Sequence, residues 1–212
     1  MSGRAIVVAG GLSPGPGLVD DAGAFVVAAD SGLDRALEMG LRVDLVVGDL
    51  DSVTDEALAS AKAAGVPVEV HPVDKDATDL ELALEVCLAR HATQVQVVAL
   101  DGGRPDHWLA NVSLLCSPRW ADMEMHALSA TSEMRVVRAA TELDYRVGSI
   151  VTLLAWGGPV HGVEVSGLRW TPPSTLVPGD TIGVSNEITA SPVQIAISEG
   201  VLLVVVPVGD GD

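Results

Sequence analysis

Two hydrophobic patterns divide the chain. From residue 5 to about residue 128, short β-branched and alanine runs alternate with stretches whose apolar positions recur at helical spacing. Residues 5–9, 25–29, 44–47, 66–71, 94–100 and 123–128 are predicted strands, and 31–39, 54–64, 78–91 and 106–116 are predicted helices. Thr78 and Glu81 stand three apart at the start of the third helix, a capping-box spacing that satisfies its first free amides. Strands that are apolar throughout and alternate with helices predict a parallel sheet covered on both faces. After about residue 130 the helical period disappears. Residues 146–156, 160–165, 181–185, 193–197 and 201–206 are predicted as short strands separated by Gly/Pro turns. The fold class is therefore α/β: an N-terminal parallel-sheet, Rossmann-like domain over residues 1–130, then a C-terminal all-β sandwich over 131–212.

Composition narrows the class of ligand. Lys and Arg number 12 against 29 Asp and Glu, a formal charge of −17. A nucleic-acid partner and an anionic membrane surface both call for clustered cations, so neither is expected. With lysine present only at positions 62 and 75, phosphate chemistry must rely on metal ions, backbone amides and a few arginines. Aromatic residues are only 3 %, so the core must be aliphatic. No apolar run reaches the length of a membrane-spanning helix, and the opening residues do not form a signal peptide. Cys87 and Cys116 form no metal or redox spacing and read as buried thiols in a reducing compartment, so a cytoplasmic location is expected.

The acidic residues of the first half collect at predicted strand ends. Asp30 follows the second strand, Asp49 and Asp51 the third, Asp74, Asp76 and Asp79 the fourth, and Asp101 and Asp106 the fifth. Open parallel sheets bind ligands at the carboxyl ends of their strands, so folding would gather these groups on one rim. Adjacent carboxylates repel, and their hard oxygens suit Mg²⁺ bridged to substrate phosphates. Asp49 and Asp51 are the sharpest pair, since residues i and i+2 of an extended loop project to one side. Structural roles compete at each position. Asp51, Ser52 or Thr54 suits a helix cap, and Asp79 suits the dipole of a helix's first turn. Lys75 either balances Asp74 and Asp76 or reaches a phosphate, and Arg104 either grips a phosphate or carboxylate or sits in a flexible Gly-rich turn. No P-loop, sound dinucleotide fingerprint, zinc spacing or serine-hydrolase elbow is present.

Taken in order, Ala29-Asp-Ser-Gly-Leu-Asp-Arg35, Gly48-Asp-Leu-Asp-Ser52, Lys75-Asp-Ala-Thr-Asp-Leu-Glu81, Gly102-Gly-Arg-Pro-Asp-His107 and Gly183-Val-Ser-Asn-Glu187 resemble the thiamine pyrophosphokinase (thiamine diphosphokinase) family over roughly residues 5–206. The resemblance implies an α/β domain followed by a β-sandwich. It also implies transfer of diphosphate from ATP to the hydroxyl of thiamine with release of AMP, and a homodimer whose pocket joins one subunit's first domain to the other's second. Carried onto this chain, it implies Asp49, Asp51 and Asp79 as Mg²⁺ ligands and Asp30 at the catalytic rim. Lys75 and Thr78 would lie near the phosphates, Arg104 and Asp106 along the cleft, and Ser185, Asn186 and Glu187 toward thiamine. Asp30 and Asp106 are both open as acceptors of the hydroxyl proton. Ser31 stands where a second glycine is usual, and no tryptophan closely follows Asn186 to stack on thiamine, as one does in some members. The alternatives are a diphosphokinase acting on another heterocyclic alcohol, such as a pterin, or a sensor that binds nucleotide or thiamine diphosphate without turnover.

Overall fold

The computed structural model describes residues 3–208. Contacts divide the chain into two compact units. The first takes in the chain up to Leu115 together with Asp122–Thr131, and the second takes Cys116–Ala121 and the chain from Ser132 onward.

The first unit carries six parallel strands: β1 (Arg4–Val8), β2 (Phe25–Ala29), β3 (Leu45–Gly48), β4 (Val68–Val70), β5 (Gln94–Val98) and β6 (Glu124–Leu128). They lie in the order β4-β3-β2-β1-β5-β6, and every neighbouring pair is parallel. The helices between them are α1 (Gly32–Met39), α2 (Asp55–Ala63), α3 (Asp79–Ala89) and α4 (Pro105–Leu115). In β1 and β2 only the first residue is not fully buried, the pattern of a sheet covered on both faces. The core is aliphatic, as the scarcity of aromatics required: Ile6, Val8, Val26, Leu33, Val46 and Val98 pack in one cluster. Threonine starts two of the helices. The Thr54 hydroxyl accepts from Ala57 N (3.2 Å) and the Thr78 hydroxyl from Glu81 N (3.2 Å), each satisfying a first-turn amide.

The second unit is all-β apart from a 3₁₀ turn at Pro118–Trp120. Its strands are β7 (Ser132–Val137), β8 (Ala140–Leu143), β9 (Ile150–Ala155), β10 (Val160–His161), β11 (Glu164–Ser166), β12 (Thr175–Leu176), β13 (Asn186–Glu187), β14 (Val193–Ala196) and β15 (Leu202–Pro207). An antiparallel sheet β13-β9-β15-β7 faces a second one, β11-β14-β8, across a core that includes Val151, Leu153, Ile195 and Leu202. β10 and β12 form a separate pair.

The strand boundaries depart from expectation mainly in this unit. The strand expected over 160–165 is two strands, because the chain turns at Gly162, whose φ is +61°. The one expected at 181–185 is turn, and the ladder instead takes Asn186 and Glu187, which pair with Val151 and Ile150. β7 and β8 were not expected. β7 carries Glu133 and Arg135, which pair with each other at 3.1 Å and break the apolar run.

Candidate active site

Three carboxylates meet at the carboxyl-end rim of the first unit's sheet. Asp30 follows β2, Asp49 follows β3, and Asp79 is the first residue of α3. Each offers an oxygen within 4.8 Å of the other two. The backbone is shaped to allow it. Gly48 has φ +152°, and a Cβ there would lie 3.1 Å from Asp30 Cβ, so a bare glycine lets the end of β3 press against Asp30. Asp30 itself is left-handed, at φ +48°, a conformation Asp tolerates better than most residues. Its amide donates to Val47 O (2.9 Å), tying the turn to the neighbouring strand.

Lys75 lies against the cluster. Its Nζ is 2.7 Å from Asp49 Oδ2 and 3.0 Å from Asp79 Oδ1, and all three side chains are largely shielded from solvent. The residues flanking it, Asp74 and Asp76, are exposed. The chain bends on both sides of Lys75, whose amide donates to Val73 O (3.0 Å); the lysine turns inward and its acidic neighbours stay out, so the pairing is with the cluster and not with those neighbours.

The electrostatics divide the carboxylates. The hydrogen bond from Lys75 holds the Asp49 carboxyl below its ordinary range. Burial opposes the charge on Lys75, but its bonds to Asp49 and Asp79 outweigh that and raise its pKa. Asp30 goes the other way. Burial, joined by the charges of Asp79, Asp49 and Asp51, pushes its carboxyl above the usual value. Its Oδ1 is buried with no hydrogen-bond partner among the described residues.

Asp51 is not in the cluster. Leu50 is left-handed (φ +67°), so the chain turns between Asp49 and Asp51; the Asp51 carboxyl stays beside that of Asp49 but is not one of the three grouped carboxylates. Asp51 is exposed; its amide donates to Asp49 Oδ1 (3.3 Å) and its Oδ1 accepts from the Ser52 hydroxyl (2.8 Å). Arg104 and Asp106 also stand apart from the cluster. Both are exposed and pair with each other, Nη2 to Oδ2 at 2.5 Å. That bond drives the Asp106 carboxyl down to about 2, which makes it a weak base. Thr78 caps α3 and thereby fixes the position of Asp79, the next residue.

In the second unit, Ser185 is exposed and its amide donates to the Thr152 hydroxyl (3.1 Å). Asn186 is buried, and both ends of its side-chain amide are hydrogen-bonded. Oδ1 accepts from Trp170 N (3.1 Å) and Glu187 N (2.9 Å), while Nδ2 donates to Trp170 O (2.6 Å). Glu187 pairs with Arg169 at 2.7 Å, and the Arg169 guanidinium lies 4.9 Å from the Trp170 ring centre. Trp170 is 54 % exposed. Asn186 therefore presents an aromatic face, which the sequence reading missed because the tryptophan precedes it by 16 positions. The bridge Leu168–Ile188 is what brings the two stretches together.

Comparison with known proteins agrees with this architecture. A family model described as "Thiamin pyrophosphokinase, catalytic domain" matches residues 19–127, and one described as "Thiamin pyrophosphokinase, vitamin B1 binding domain" matches residues 138–202. The chain belongs to the thiamin pyrophosphokinase family. It is accordingly an enzyme of the diphosphotransferase class. A curated thiamine pyrophosphokinase of Bacillus subtilis (strain 168) is 24 % identical over 183 residues, covering 84 % of this chain and 85 % of the relative. The crystal structure of a thiamine pyrophosphokinase from Bacillus subtilis superposes with TM-score 0.83 at 21 % identity, covering 98 % of this chain and all of the other. One from Geobacillus thermodenitrificans gives 0.84 at 25 % identity, with 98 % and 99 % covered. In this thiamin pyrophosphokinase family member the acid cluster falls within the catalytic-domain match, and Trp170 with Asn186 within the vitamin-binding match. No helix among the described residues is long and apolar enough to cross a membrane.

Proposed function

We propose that the chain transfers diphosphate from ATP to the hydroxyl of thiamine, giving thiamine diphosphate and AMP. The observation that carries this reading is the meeting of Asp30, Asp49 and Asp79 at the strand-end rim, with the ammonium of Lys75 against Asp49 and Asp79. Three hard oxygens this close suit Mg²⁺, and a lysine held among them has a point charge to give to a phosphate. When bound, the ion would neutralise the phosphates and orient the phosphorus under attack.

Asp49 and Asp79 hold the ion in this reading, with Asp51 as the third ligand after a rotation of its exposed side chain. Asp30 stands beside these ligands, and burial pushes its carboxyl above the ordinary value, which suits it to take a proton. Its raised basicity makes it, and not Asp106, the acceptor for the thiamine hydroxyl proton. Thr78 sets the start of α3, and Arg104 meets the outer phosphates once it leaves Asp106. Thiamine is a cation, and a −17 protein attracts it. The Trp170 ring, held by Asn186, offers it a face for stacking and cation–π contact, with Glu187 and Ser185 beside it. Homodimerisation belongs to the same proposal and rests on the family resemblance, and sedimentation tests it. The two buried free cysteines support a cytoplasmic location.

The decisive experiment is incubation with ATP, Mg²⁺ and thiamine, following both products. Equimolar AMP and thiamine diphosphate are expected. AMP released only with a different acceptor alcohol, such as a pterin, overturns the substrate. Nucleotide binding without AMP release under any acceptor overturns the enzymatic reading.

A further inference from the structure

The order of the parallel sheet creates a second place of interest. From β1 the chain builds outward through β2, β3 and β4, then returns through α3 to lay β5 on the opposite side of β1. Growth of the sheet reverses between β1 and β5, and open α/β sheets take ligands outside the carboxyl ends of their strands at such a reversal. Here one side is Gly10-Gly11-Leu12 and the other Ala99 to Gly102. The two sides are joined by bonds from Gly11 N to Ala99 O (2.9 Å) and from Leu12 N to Asp101 O (2.7 Å). Leu12 lies against Gly102 with 53 % of its surface exposed.

Among the described residues two aspartates are buried: Asp30, in the acid cluster, and Asp101, only 6 % exposed, which nothing above employs. One Asp101 oxygen, Oδ2, takes the Thr131 hydroxyl. The other, Oδ1, is buried and has no hydrogen-bond partner among the described residues. Ser129, alongside, directs its oxygen to Leu100 N (2.9 Å) and Asp101 N (3.3 Å). A carboxyl oxygen with open lone pairs accepts, so the ligand group that completes it is a donor. Phosphate oxygens are excluded by charge, and a sugar hydroxyl fits. The spacing agrees. Strands lie about 5 Å apart, so the end of β5 is roughly 10 Å from the end of β2, where Asp30 begins the phosphate-side cluster.

We propose that Asp101 reads the sugar of the nucleotide, its unpartnered oxygen accepting a hydrogen bond from a ribose hydroxyl in the β1/β5 crevice. This rests on the reading of ATP as the donor. It is tested on the whole chain by calorimetric titration with Mg²⁺-ATP, Mg²⁺-2′-deoxy-ATP and Mg²⁺-3′-deoxy-ATP in the absence of thiamine. The wild type is expected to bind at least one deoxy analogue on the order of tenfold more weakly than ATP, the scale of one hydrogen bond to a charged group. Asp101→Ala erases that difference, whereas Thr131→Val, which removes only the internal contact, keeps it. Equal binding of all three nucleotides by the wild type overturns the proposal whatever the variants do. So does discrimination that survives Asp101→Ala or is lost with Thr131→Val, since Asp101 would then only brace its own loop. A chain that binds none of the three fails the ATP reading itself, a different result from binding that ignores the sugar.

Discussion

The ammonium of Lys75 sits 2.7 Å from Asp49, on the side of that carboxylate where Asp79 also approaches. A lysine in this position keeps the acid cluster from repelling itself before any ligand arrives, and it must give up its partners when a divalent ion binds. Lys75→Met removes both the internal cation and the phosphate contact. Expected are tighter Mg²⁺ binding in the absence of nucleotide, read by calorimetry, and a loss of kcat/KM for ATP on the order of a hundredfold.

The metal ligands are separable by substitution. Asp49→Asn and Asp79→Asn should each lower turnover by roughly a hundredfold or more and raise the Mg²⁺ concentration needed for half-maximal rate. Asp51→Asn is expected to do the same in spite of its exposure. A Mg²⁺ requirement left unchanged by Asp51→Asn, together with one raised by Asp30→Asn, would give the third place to Asp30.

Asp30 carries a pH signature in the metal-free protein. Its folded-state carboxyl titrates above the unfolded value, so the folded chain holds that proton after the unfolded chain has lost it. The associated stability is fully present below the ordinary aspartate range near pH 4 and is lost as pH rises through the raised folded value. Asp30→Asn should therefore raise Tm at pH 7 without Mg²⁺, flatten that pH dependence, and still impair catalysis.

Asn186 acts through Trp170. Asn186→Ala frees the Trp170 backbone from two hydrogen bonds and leaves the ring unanchored. An increase of about tenfold in KM for thiamine, with little change in KM for ATP, is the expected split, and Trp170→Ala should match it. An equal rise in both constants would mark Asn186 as a general stabiliser of the second unit.

Thr78→Ala tests the cap. Losing the bond to Glu81 N costs about 1 kcal/mol of stability. Because Asp79 follows directly, the variant should also lower kcat, whereas Thr54→Ala on α2 should cost similar stability with activity preserved.

The first unit was legible because its strands β1, β2 and β3 are apolar almost throughout and alternate with helical patterns. The acid rim was legible for the same reason: Asp30 and Asp49 stand directly after such strands. What escaped was set by single dihedrals and by distance along the chain. No pattern in Gly48-Asp-Leu-Asp announces that Leu50 turns left-handed and leaves Asp51 exposed, outside the three grouped carboxylates. Trp170 and Asn186 meet only because antiparallel pairing folds one segment back on the other, and short strands such as β12 and β13, two residues each, carry no period to detect. The charged β7 was hidden by an ion pair that the linear sequence does not reveal as a pair.

The hexapeptide from Cys116 to Ala121 belongs to the second unit, although it interrupts the first just before its last strand, β6. The polypeptide thus crosses from one unit to the other three times, and no single cut yields two intact halves. Cleavage after Leu115 orphans β6, and cleavage after Thr131 carries off the fully buried Trp120 with the wrong fragment. Dissecting this enzyme by truncation should accordingly give unstable pieces, and a growing chain leaving the ribosome completes the first half only at residue 131, with part of the second already made.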